Sequence, residues 1–469
     1  LSTDPDARVL FLYPTKALAR DQLDTICTME KETGIRAHPG VYDGDTPHHL
    51  RRGIREESRI ILSNPHELHQ VMGWHSQWQA FWSSLRLVVI DEAHWYRGIT
   101  GAHMAHLLRR LRRIAGRYGA SPRFLCATAT IGNPEEFAEM LTGLPCRPVT
   151  GSGGNRSGRE FLFYNPSAGI SPAGLFGSAT ALFEHFLDAG HQTICFTGSR
   201  QGAEALAQAV RRHLPHERQH DVAAYRAGYL PASRRDLEGR LKSGLLRGVF
   251  ATSALEVGID IGDLDAVLIA GFPGTRMATW QRAGRAGRGD GTSAAVLLAG
   301  EDPLDQYYMH HPSAFFGGGV EDAVVDGRNP YVMAGHLICA AAEMPLGEAE
   351  ARDWFGESAP AVLCALAQNG LVTPTRRGYV YSGTGRAAEM VSLGGTGQDT
   401  YRLLCEGTLL ETMNEAQAFR EAHPGAVFLH HGEPYLVDDL DTRTGTIQAR
   451  RFTADFRTRA LVHSFPEQL

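Results

Sequence analysis

Hydrophobic residues in the first part of the chain form four short runs, each followed at once by polar residues or proline. Short apolar runs with helical patterns between them are typical of a parallel sheet that is covered by helices. Ligands bind at the carboxyl ends of such strands, so the polar residues there are candidate functional positions. The predicted strands are Arg8–Tyr13, Arg59–Leu62, Leu85–Ile90 and Phe124–Ala127.

A second series of the same kind follows residues 151–180, which are rich in glycine and serine and predict a linker. Its strands are expected at Thr193–Phe196, Gly248–Ala251 and Ala266–Ala270. The sequence therefore predicts two α/β units in tandem, the first of them without its opening strand.

The pattern changes near residue 326. Two predicted helices, Pro330–Ala342 and Pro360–Asn369, precede a hairpin at Leu371–Tyr381, an order that resembles a winged helix. Strands expected at Ala426–Leu429, Tyr435–Val437 and Gly445–Arg451 then predict a small β-rich domain. The expected domains are two α/β units at 1–150 and 181–325 with the linker 151–180 between them, a winged helix at 326–390 and a β-rich domain at 391–469.

The composition of the 469 residues is that of a folded globular protein, with 43% hydrophobic and 21% charged residues. A formal net charge of −6 excludes a globally basic nucleic-acid binder, so such affinity must come from local patches. No apolar run approaches the ~18 residues of a membrane span, and the seven cysteines form no C-x-x-C pair. These features predict a protein of the reducing cytoplasm with no membrane partner.

The strand at Leu85–Ile90 delivers two adjacent carboxylates, Asp91 and Glu92, to the ligand edge of the first sheet. Both are candidate Mg²⁺ ligands, and Glu92 can also orient and deprotonate the water that attacks a γ-phosphate. His94 is a candidate for reporting the nucleotide state to neighbouring elements. The alternative is an acidic helix N-terminus, which explains a bare Asp-Glu pair but not the apolar strand before it.

Three arginines spaced three residues apart, Arg282, Arg285 and Arg288, follow Gln281 with small residues between them. Crowded cations are unfavourable unless an anion or a carboxylate compensates them, and a triphosphate suits the planar fork of arginine. We therefore expect nucleotide contacts by Gln281 and Arg282, and arginine fingers at Arg285 and Arg288. The alternative is a solvated basic turn.

Superfamily 2 helicases of the DEAH type carry motifs that resemble, in this order, the string Asp91–His94 and the string Gln281–Arg288. Five further strings of the sequence also match that family. The resemblance implies that the two α/β units are RecA-like domains, ahead of the winged helix and the small β-rich domain that the sequence pattern predicts, with ATP and Mg²⁺ as cofactors and nucleic acid as substrate. It implies nucleic-acid contacts by Pro14, Thr15, Lys16, Ser63, Asn64, Pro65, Thr197, Arg200 and Thr252, coupling by Thr128, Ala129 and Thr130, and nucleotide contacts by Gly258 and Asp260.

Less common strings, Tyr42–Pro47, Tyr96–Gly98 and Tyr225–Pro231, resemble the mitomycin-repair factor A (YprA-type) group. That resemblance implies a 3′→5′ DNA helicase linked to DNA repair, acting on single-stranded DNA or on DNA with a 3′ tail. The four-cysteine zinc domain usual in the group has no counterpart in this sequence. The motifs shared across the family contact sugar and phosphate, so they do not distinguish DNA from RNA as the substrate.

The phosphate loop of such helicases, G-x-x-x-x-G-K-S/T, needs a glycine directly before a lysine. None of the three lysines, Lys16, Lys31 and Lys242, follows a glycine. In the family this loop precedes the Pro14 motif, so we expect an N-terminally truncated copy of a longer ATP-dependent helicase, inactive without that segment. The alternatives are a degenerate paralogue or fragment that binds nucleic acid without catalysis, or a loop supplied by a separate chain.

One predicted helix combines an apolar face with a run of arginines. The apolar positions are Met104, Leu107, Leu108, Leu111 and Ile114, and the arginines mostly off that face are Arg109, Arg110, Arg112 and Arg113. Three alternatives remain open for the arginines: a solvated face, a stripe that tracks phosphates, and a contact between domains.

Overall fold

The structure is a computed structural model that describes residues 1–150, 158–168, 174–256, 264–287, 293–393, 400–453, 456 and 458. The chain divides into two compact units, each discontinuous in sequence. The first consists of Leu1–Ser152 and Val320–Thr396, and the second of Gly153–Gly319 and Gly397–Leu469. Each unit therefore combines one α/β sheet with one of the two C-terminal parts.

The first unit contains a five-stranded sheet in which all neighbours are parallel. Its strands are β1 (Arg8–Leu12), β2 (Gly40–Val41), β3 (Ile60–Ser63), β4 (Leu85–Ile90) and β5 (Arg123–Cys126), in the order β2-β3-β1-β4-β5. The helices are α1 (Lys16–Thr33), α2 (His48–Glu57), α3 (Pro65–Met72), α4 (Gln79–Ser84), α5 (Gly98–Arg117) and α6 (Pro134–Thr142). The four strands that the hydrophobic runs predict are present, and β2 is too short to leave a pattern.

The second unit contains a six-stranded parallel sheet. Its strands are β6 (Arg159–Tyr164), β7 (Thr193–Phe196), β8 (Val222–Tyr225), β9 (Gly248–Ala251), β10 (Ala266–Ala270) and β11 (Ser293–Leu298), in the order β6-β11-β10-β7-β9-β8. The helices are α7 (Gly174–Asp188), α8 (Arg200–His213), α9 (Pro231–Lys242), α10 (Arg276–Ala283), α11 (Pro303–His310) and α12 (Pro312–Gly317).

The segment 151–180, predicted as a linker, instead contains β6 and the start of α7. β6 is the edge strand beside β11, and Phe161 and Phe163 pack against Phe315 of α12. The sequence prediction is wrong here because glycine, serine and proline around the strand outweigh its few aromatic residues. Its packing partner lies on a helix that is distant in sequence.

The C-terminal part of the first unit is a helical group with a hairpin, as the winged-helix pattern predicts. Its elements are α13 (Pro330–Glu343), α14 (Glu348–Phe355), α15 (Ala359–Gln368), β12 (Val372–Thr375) and β13 (Gly378–Tyr381). The short α14 was not predicted. Met333, Leu337, Leu363 and Val372 share one buried core, so the hairpin and helices form a single packed body.

The C-terminal part of the second unit is a mixed five-stranded sheet in the order β15-β14-β18-β17-β16, as the β-rich prediction requires. Its elements are β14 (Thr400–Cys405), β15 (Thr408–Asn414), α16 (Glu415–Glu421), β16 (Val427–His430), β17 (Glu433–Asp441) and β18 (Thr446–Arg451). Its core includes Tyr401, Phe428 and Ile447. Over the described residues, no helix combines the length and apolarity needed to cross a membrane.

Candidate functional site

The predicted motifs of the first unit converge because β3, β1, β4 and β5 are neighbours and run in parallel. The main chain ties the strand ends together. The N–H of Asp91 donates to the carbonyl of Leu12 at 3.0 Å, and the N–H of Ala93 donates to that of Ala127 at 2.8 Å. The strings after β1, β4 and β5 therefore lie side by side at one edge of the sheet.

Asp91 is half-buried and accepts a hydrogen bond from the N–H of Glu92 at 3.0 Å. Burial raises the pKa of Asp91, and the bond from Glu92 opposes that rise. Glu92 has a φ of 49°, in the left-handed region that costs a non-glycine residue about 1 kcal/mol or more. Strain of this kind persists where the surrounding structure imposes it, which is common at functional sites.

The donor set fits Mg²⁺, which is bound through one or two carboxylates together with phosphate oxygens and water. Across the described ranges, no ion pair joins Asp91 to a protein cation, and no group of three or more His, Cys, Asp or Glu side chains could hold a metal alone. Tyr13 and Tyr96 lie near Asp91, whose charge adds to burial in raising the pKa of both hydroxyls. The sequence analysis missed these two tyrosines, although Tyr96 lies in one of the less common strings.

His94 links the Asp-Glu pair to the Thr128–Thr130 string. Its Nδ1 accepts the N–H of Ala129 at 3.3 Å, lies 3.3 Å from the hydroxyl of Thr128 and 3.6 Å from a carboxylate oxygen of Glu92. Burial lowers the pKa of His94 to about 4, with a further contribution from Arg97. The ring is therefore neutral near pH 7 and acts as a hydrogen-bond acceptor.

The Pro14–Lys16 string begins α1. Thr15 caps this helix by accepting the N–H of Leu18 at 3.3 Å. The half-exposed Nζ of Lys16 lies 2.8 Å from the carboxylate of Asp45, which also pairs with Arg20 at 2.9 Å. The structure thus brings the Tyr42–Pro47 string onto Lys16, and a nucleic-acid phosphate would compete there with Asp45.

The side chains of Ser63, Asn64 and Pro65 are buried. The hydroxyl of Ser63 donates to the carbonyl of Tyr42 at 2.6 Å, and Asn64 caps α3 by accepting the N–H of Glu67 at 3.0 Å. The Ser63 hydroxyl and the Asn64 side-chain carbonyl oxygen are therefore engaged in bonds within the unit.

In the second unit, Glu256 joins the segment that begins at Thr252 to the arginines that follow Gln281. Its carboxylate accepts from Nε of Arg282 at 3.0 Å, and its carbonyl accepts from Nη2 of Arg285 at 2.7 Å. Both arginines are buried, and Arg282 also lies over the ring of Phe196 at 5.4 Å. Glu256 therefore compensates the crowded cations here, a role that was not predicted. Gln281 is half-buried, whereas Arg288, Gly258 and Asp260 lie outside the described residues.

The remaining predicted contacts of the second unit follow β7 and β9. Thr197 is buried and donates to the carbonyl of Ser199 at 3.0 Å. Arg200 begins α8 and donates to Glu411 at 3.3 Å. The N–H of Thr252 donates to the carbonyl of Tyr225 at 3.3 Å. Arg200 is therefore already paired with a carboxylate of the β-rich part.

The Tyr225–Pro231 string joins the second sheet to the β-rich part. Arg226 is 1% exposed and donates to Glu204 of α8 at 3.0 Å and to Glu411 of β15 at 2.6 Å. The hydroxyl of Tyr229 also donates to Glu204. A buried cation between two carboxylates holds the two parts of this unit together.

The arginine run on α5 joins the first sheet to the winged-helix part. Arg110 donates through Nε to Glu343 at 3.0 Å, and Arg113 donates to Glu350 at 2.7 Å and to the carbonyl of Ala340 at 2.8 Å. The solvated-face alternative is wrong, since none of the four arginines is exposed. The domain-contact alternative holds for Arg110 and Arg113, because α13 and α14 cover this side of the helix.

Three known protein families match successive parts of the chain. They are DEAD/DEAH box helicase at residues 1–137, helicase conserved C-terminal domain at 178–290 and the winged helix domain of ATP-dependent helicase HRQ1 at 325–387. The uncharacterized ATP-dependent helicase YprA of Bacillus subtilis (strain 168) is 35% identical over 98% of this chain. The ATP-dependent helicase hrq1 of Schizosaccharomyces pombe is 32% identical over 98% of this chain.

A solved structure of the DUF1998 helicase MrfA bound to DNA and AMPPNP is similar to this chain, with a TM-score of 0.90 and 34% identity. The match covers 98% of this chain and 66% of that one. The chain spans 63% of the length of YprA and 45% of the length of hrq1.

Proposed function

The chain belongs to the DEAD/DEAH box helicases, and from this membership we propose that the protein couples ATP hydrolysis to movement along nucleic acid. The observation that carries the proposal is the position of His94, whose Nδ1 lies 3.6 Å from a carboxylate oxygen of Glu92 and 3.3 Å from both the Thr128 hydroxyl and the Ala129 nitrogen. It links a carboxylate suited to phosphate hydrolysis with a loop on the neighbouring strand, as coupling requires.

Asp91 and Glu92 have different proposed roles at the reacting phosphate. Mg²⁺ with ATP supplies charge neutralisation of the phosphate oxygens. Asp91, half-buried and without a protein cation among the described residues, would hold the ion through its carboxylate. Glu92 orients the attacking water and accepts its proton.

His94 is proposed to transmit the state of this site. Its neutral Nδ1 accepts from Ala129 and lies 3.6 Å from the Glu92 carboxylate, so a movement of that negative charge would change the strength of the bond to the Thr-Ala-Thr loop. In the second unit, Arg282 and Arg285 lie with Glu256 in a charge-compensated cluster. We propose that a nucleotide phosphate replaces part of this internal compensation at Arg285, with Arg288, Gln281, Gly258 and Asp260 as further nucleotide contacts.

Single-stranded DNA, or duplex DNA with a 3′ tail, is the proposed track, with 3′→5′ polarity and a role in DNA repair. The support is that the similar MrfA structure is described as bound to DNA. Competition between a 20-nucleotide DNA and the RNA of the same sequence tests the choice. Unwinding of duplexes with a 3′ or a 5′ tail tests the polarity. Preference for RNA would contradict DNA as the track, and preference for a 5′ tail would contradict the 3′→5′ polarity.

The central test is the variant Glu92→Gln. We expect DNA-stimulated ATP hydrolysis to fall by about 10²–10⁴-fold with AMPPNP binding retained, because the general base is lost and the fold is not. The matched control is Glu139→Gln, which neutralises an exposed carboxylate on α6. Hydrolysis within a few-fold of wild type for Glu92→Gln would refute the assignment.

A second candidate function is nucleic-acid binding without catalysis. It is favoured for residues 1–469 by themselves because no lysine of this sequence follows a glycine. ATPase assay of these residues distinguishes the two: rapid DNA-stimulated hydrolysis would exclude the binding-only function.

A further inference from the structure

An open cleft of about 870 Å³ lies in the first unit, on the side of α5 that faces the winged-helix part. Arg109 and Arg112 of α5 line it together with Trp354 of α14 and the segment 324–328 before α13. This volume is within the range of small-molecule and cofactor sites. The cleft is separate from the Asp-Glu pair and from the two arginines that hold α13 and α14.

Arg109 carries the first unusual feature of this cleft. Within the described part of the chain, its Nη1 is buried and has no hydrogen-bond partner, and no ion pair is formed by its guanidinium. Burial lowers the pKa of Arg109, and the charge of Arg112 lowers it further. A guanidinium nitrogen that is buried without a hydrogen-bond partner destabilises a fold, so its presence on the half-buried Arg109 calls for an explanation beyond packing.

Arg112 lies beside it and is held in place. Its guanidinium carbon is 5.1 Å from the centre of the Trp354 ring, and its Nη1 donates to the carbonyls of Thr142 and Gly143 at 3.1 Å each. A guanidinium oriented by stacking and by carbonyls is preorganised, so little side-chain entropy is lost when it binds an anion.

Two glycines leave room for these guanidinium groups. A Cβ built on Gly327 would lie 3.1 Å from Nη1 of Arg109, and one built on Gly143 would lie 3.1 Å from Nη1 of Arg112. Both distances are tighter than ordinary contacts, so a side chain at either position would press on the cation. The walls of the cleft are therefore shaped around the two arginines.

Two carboxylates also line the cleft, but they do not neutralise Arg109. Asp326 lies 3.7 Å from Nε of Arg328 and accepts the N–H of that residue at 3.0 Å. The carboxylate of Asp353 forms no ion pair with any described residue. With Arg328 the cleft has three cations and two carboxylates, and the buried end carries positive charge.

We propose that this cleft binds a phosphate group of a nucleic-acid strand through Arg109 and Arg112. The proposal rests on the nucleic-acid binding proposed above. A chain with a net charge of −6 needs local clusters of arginine to hold a polyanion, and this cleft is open to solvent. The Trp354 ring that supports Arg112 keeps the fork directed at the phosphate.

The test is the affinity of residues 1–469 for a fluorescein-labelled 20-nucleotide DNA, followed by anisotropy over a series of salt concentrations. We expect Arg109→Gln to weaken binding about tenfold at low salt and to reduce the slope of log K against log salt by about 0.7. Because Arg109 has no described partner to lose, the melting temperature should equal or exceed that of wild type. The matched control is Arg117→Gln, an exposed arginine of the same helix, which should leave affinity and slope unchanged.

Each outcome separates this proposal from the one on which it rests. Wild-type affinity and slope in Arg109→Gln would overturn the phosphate site and leave nucleic-acid binding intact. Absence of DNA binding by the wild-type chain would overturn both. A lower melting temperature in Arg109→Gln, with the slope unchanged, would identify Arg109 as a structural residue and overturn the proposal. Displacement of the DNA from wild type but not from Arg109→Gln by millimolar inorganic phosphate would support the shared phosphate chemistry.

Discussion

Replacement of Arg110 by methionine tests whether α5 holds the winged-helix part by a buried ion pair. Arg110 and the side chain of Glu343 are each 1% exposed, and Arg110 donates to Glu343 through Nε at 3.0 Å and also through Nη2. Its Nη1 lies 2.9 Å from His69 and 3.2 Å from His336. Arg110→Met keeps much of the side-chain volume and removes every one of these donors.

The expected loss of stability comes from the carboxylate of Glu343, which stays buried when Arg110 is replaced. Among the described residues, Oε2 of Glu343 already has no hydrogen-bond partner, so Arg110→Met leaves a buried charge with neither of its main donors. Breaking such a pair from one side costs about 3–5 kcal/mol. For a unit of roughly 230 residues, that lowers the melting temperature by roughly 10 °C. The double variant Arg110→Met/Glu343→Leu removes both charges and should regain at least half of the loss.

Scanning calorimetry of residues 1–469 measures the effect on the transition of the first unit. Arg117→Met is the control, since this arginine is exposed on the same helix, and its melting temperature should stay within about 1 °C of wild type. The reasoning is refuted if Arg110→Met lowers the melting temperature by less than about 2 °C, or if the double variant is no more stable than the single one.

Three further predictions concern the buried polar groups. Burial lowers the pKa of His69 and His106 to about 3 and that of His336 well below its usual value, so these rings are neutral in the folded protein. Their contribution to the stability of the fold is therefore present above pH ~6.5 and is lost as the pH falls toward ~3. The urea midpoint should therefore be lower at pH 5 than at pH 7, less so in His106→Leu, and equal midpoints would contradict neutral burial. Glu411→Gln should destabilise the second unit by about 3 kcal/mol, because Arg226 and Arg200 lose their shared carboxylate; urea unfolding beside the exposed control Glu433→Gln checks this. His94→Ala should reduce DNA stimulation of ATP hydrolysis with AMPPNP affinity unchanged, and full stimulation would exclude the coupling role.

Much of the sheet architecture could be predicted because a strand that is buried on both faces has a contiguous run of apolar residues in the sequence. β4 matches the predicted Leu85–Ile90, and Asp91 and Glu92 follow it because a polar residue ends such a run. The apolar face of α5 was predicted for the same reason, since helical period alone selects Met104 and Leu107. In contrast, β6 was missed because an edge strand alternates and its aromatic side chains need α12 to be buried.

The sequence by itself determined two tandem parallel sheets, a winged helix and a β-rich part, together with the polar strings at the strand ends, because these depend on local period and chain order. Only the tertiary structure decided which charges meet. Glu256 reaches Arg282, Glu411 reaches Arg226 and Glu343 reaches Arg110 across 26, 185 and 233 residues of sequence. Such partners are set by how elements pack in three dimensions, and no local pattern records them. The same packing divided one arginine run into residues that hold α13 and α14 and residues that line a cleft.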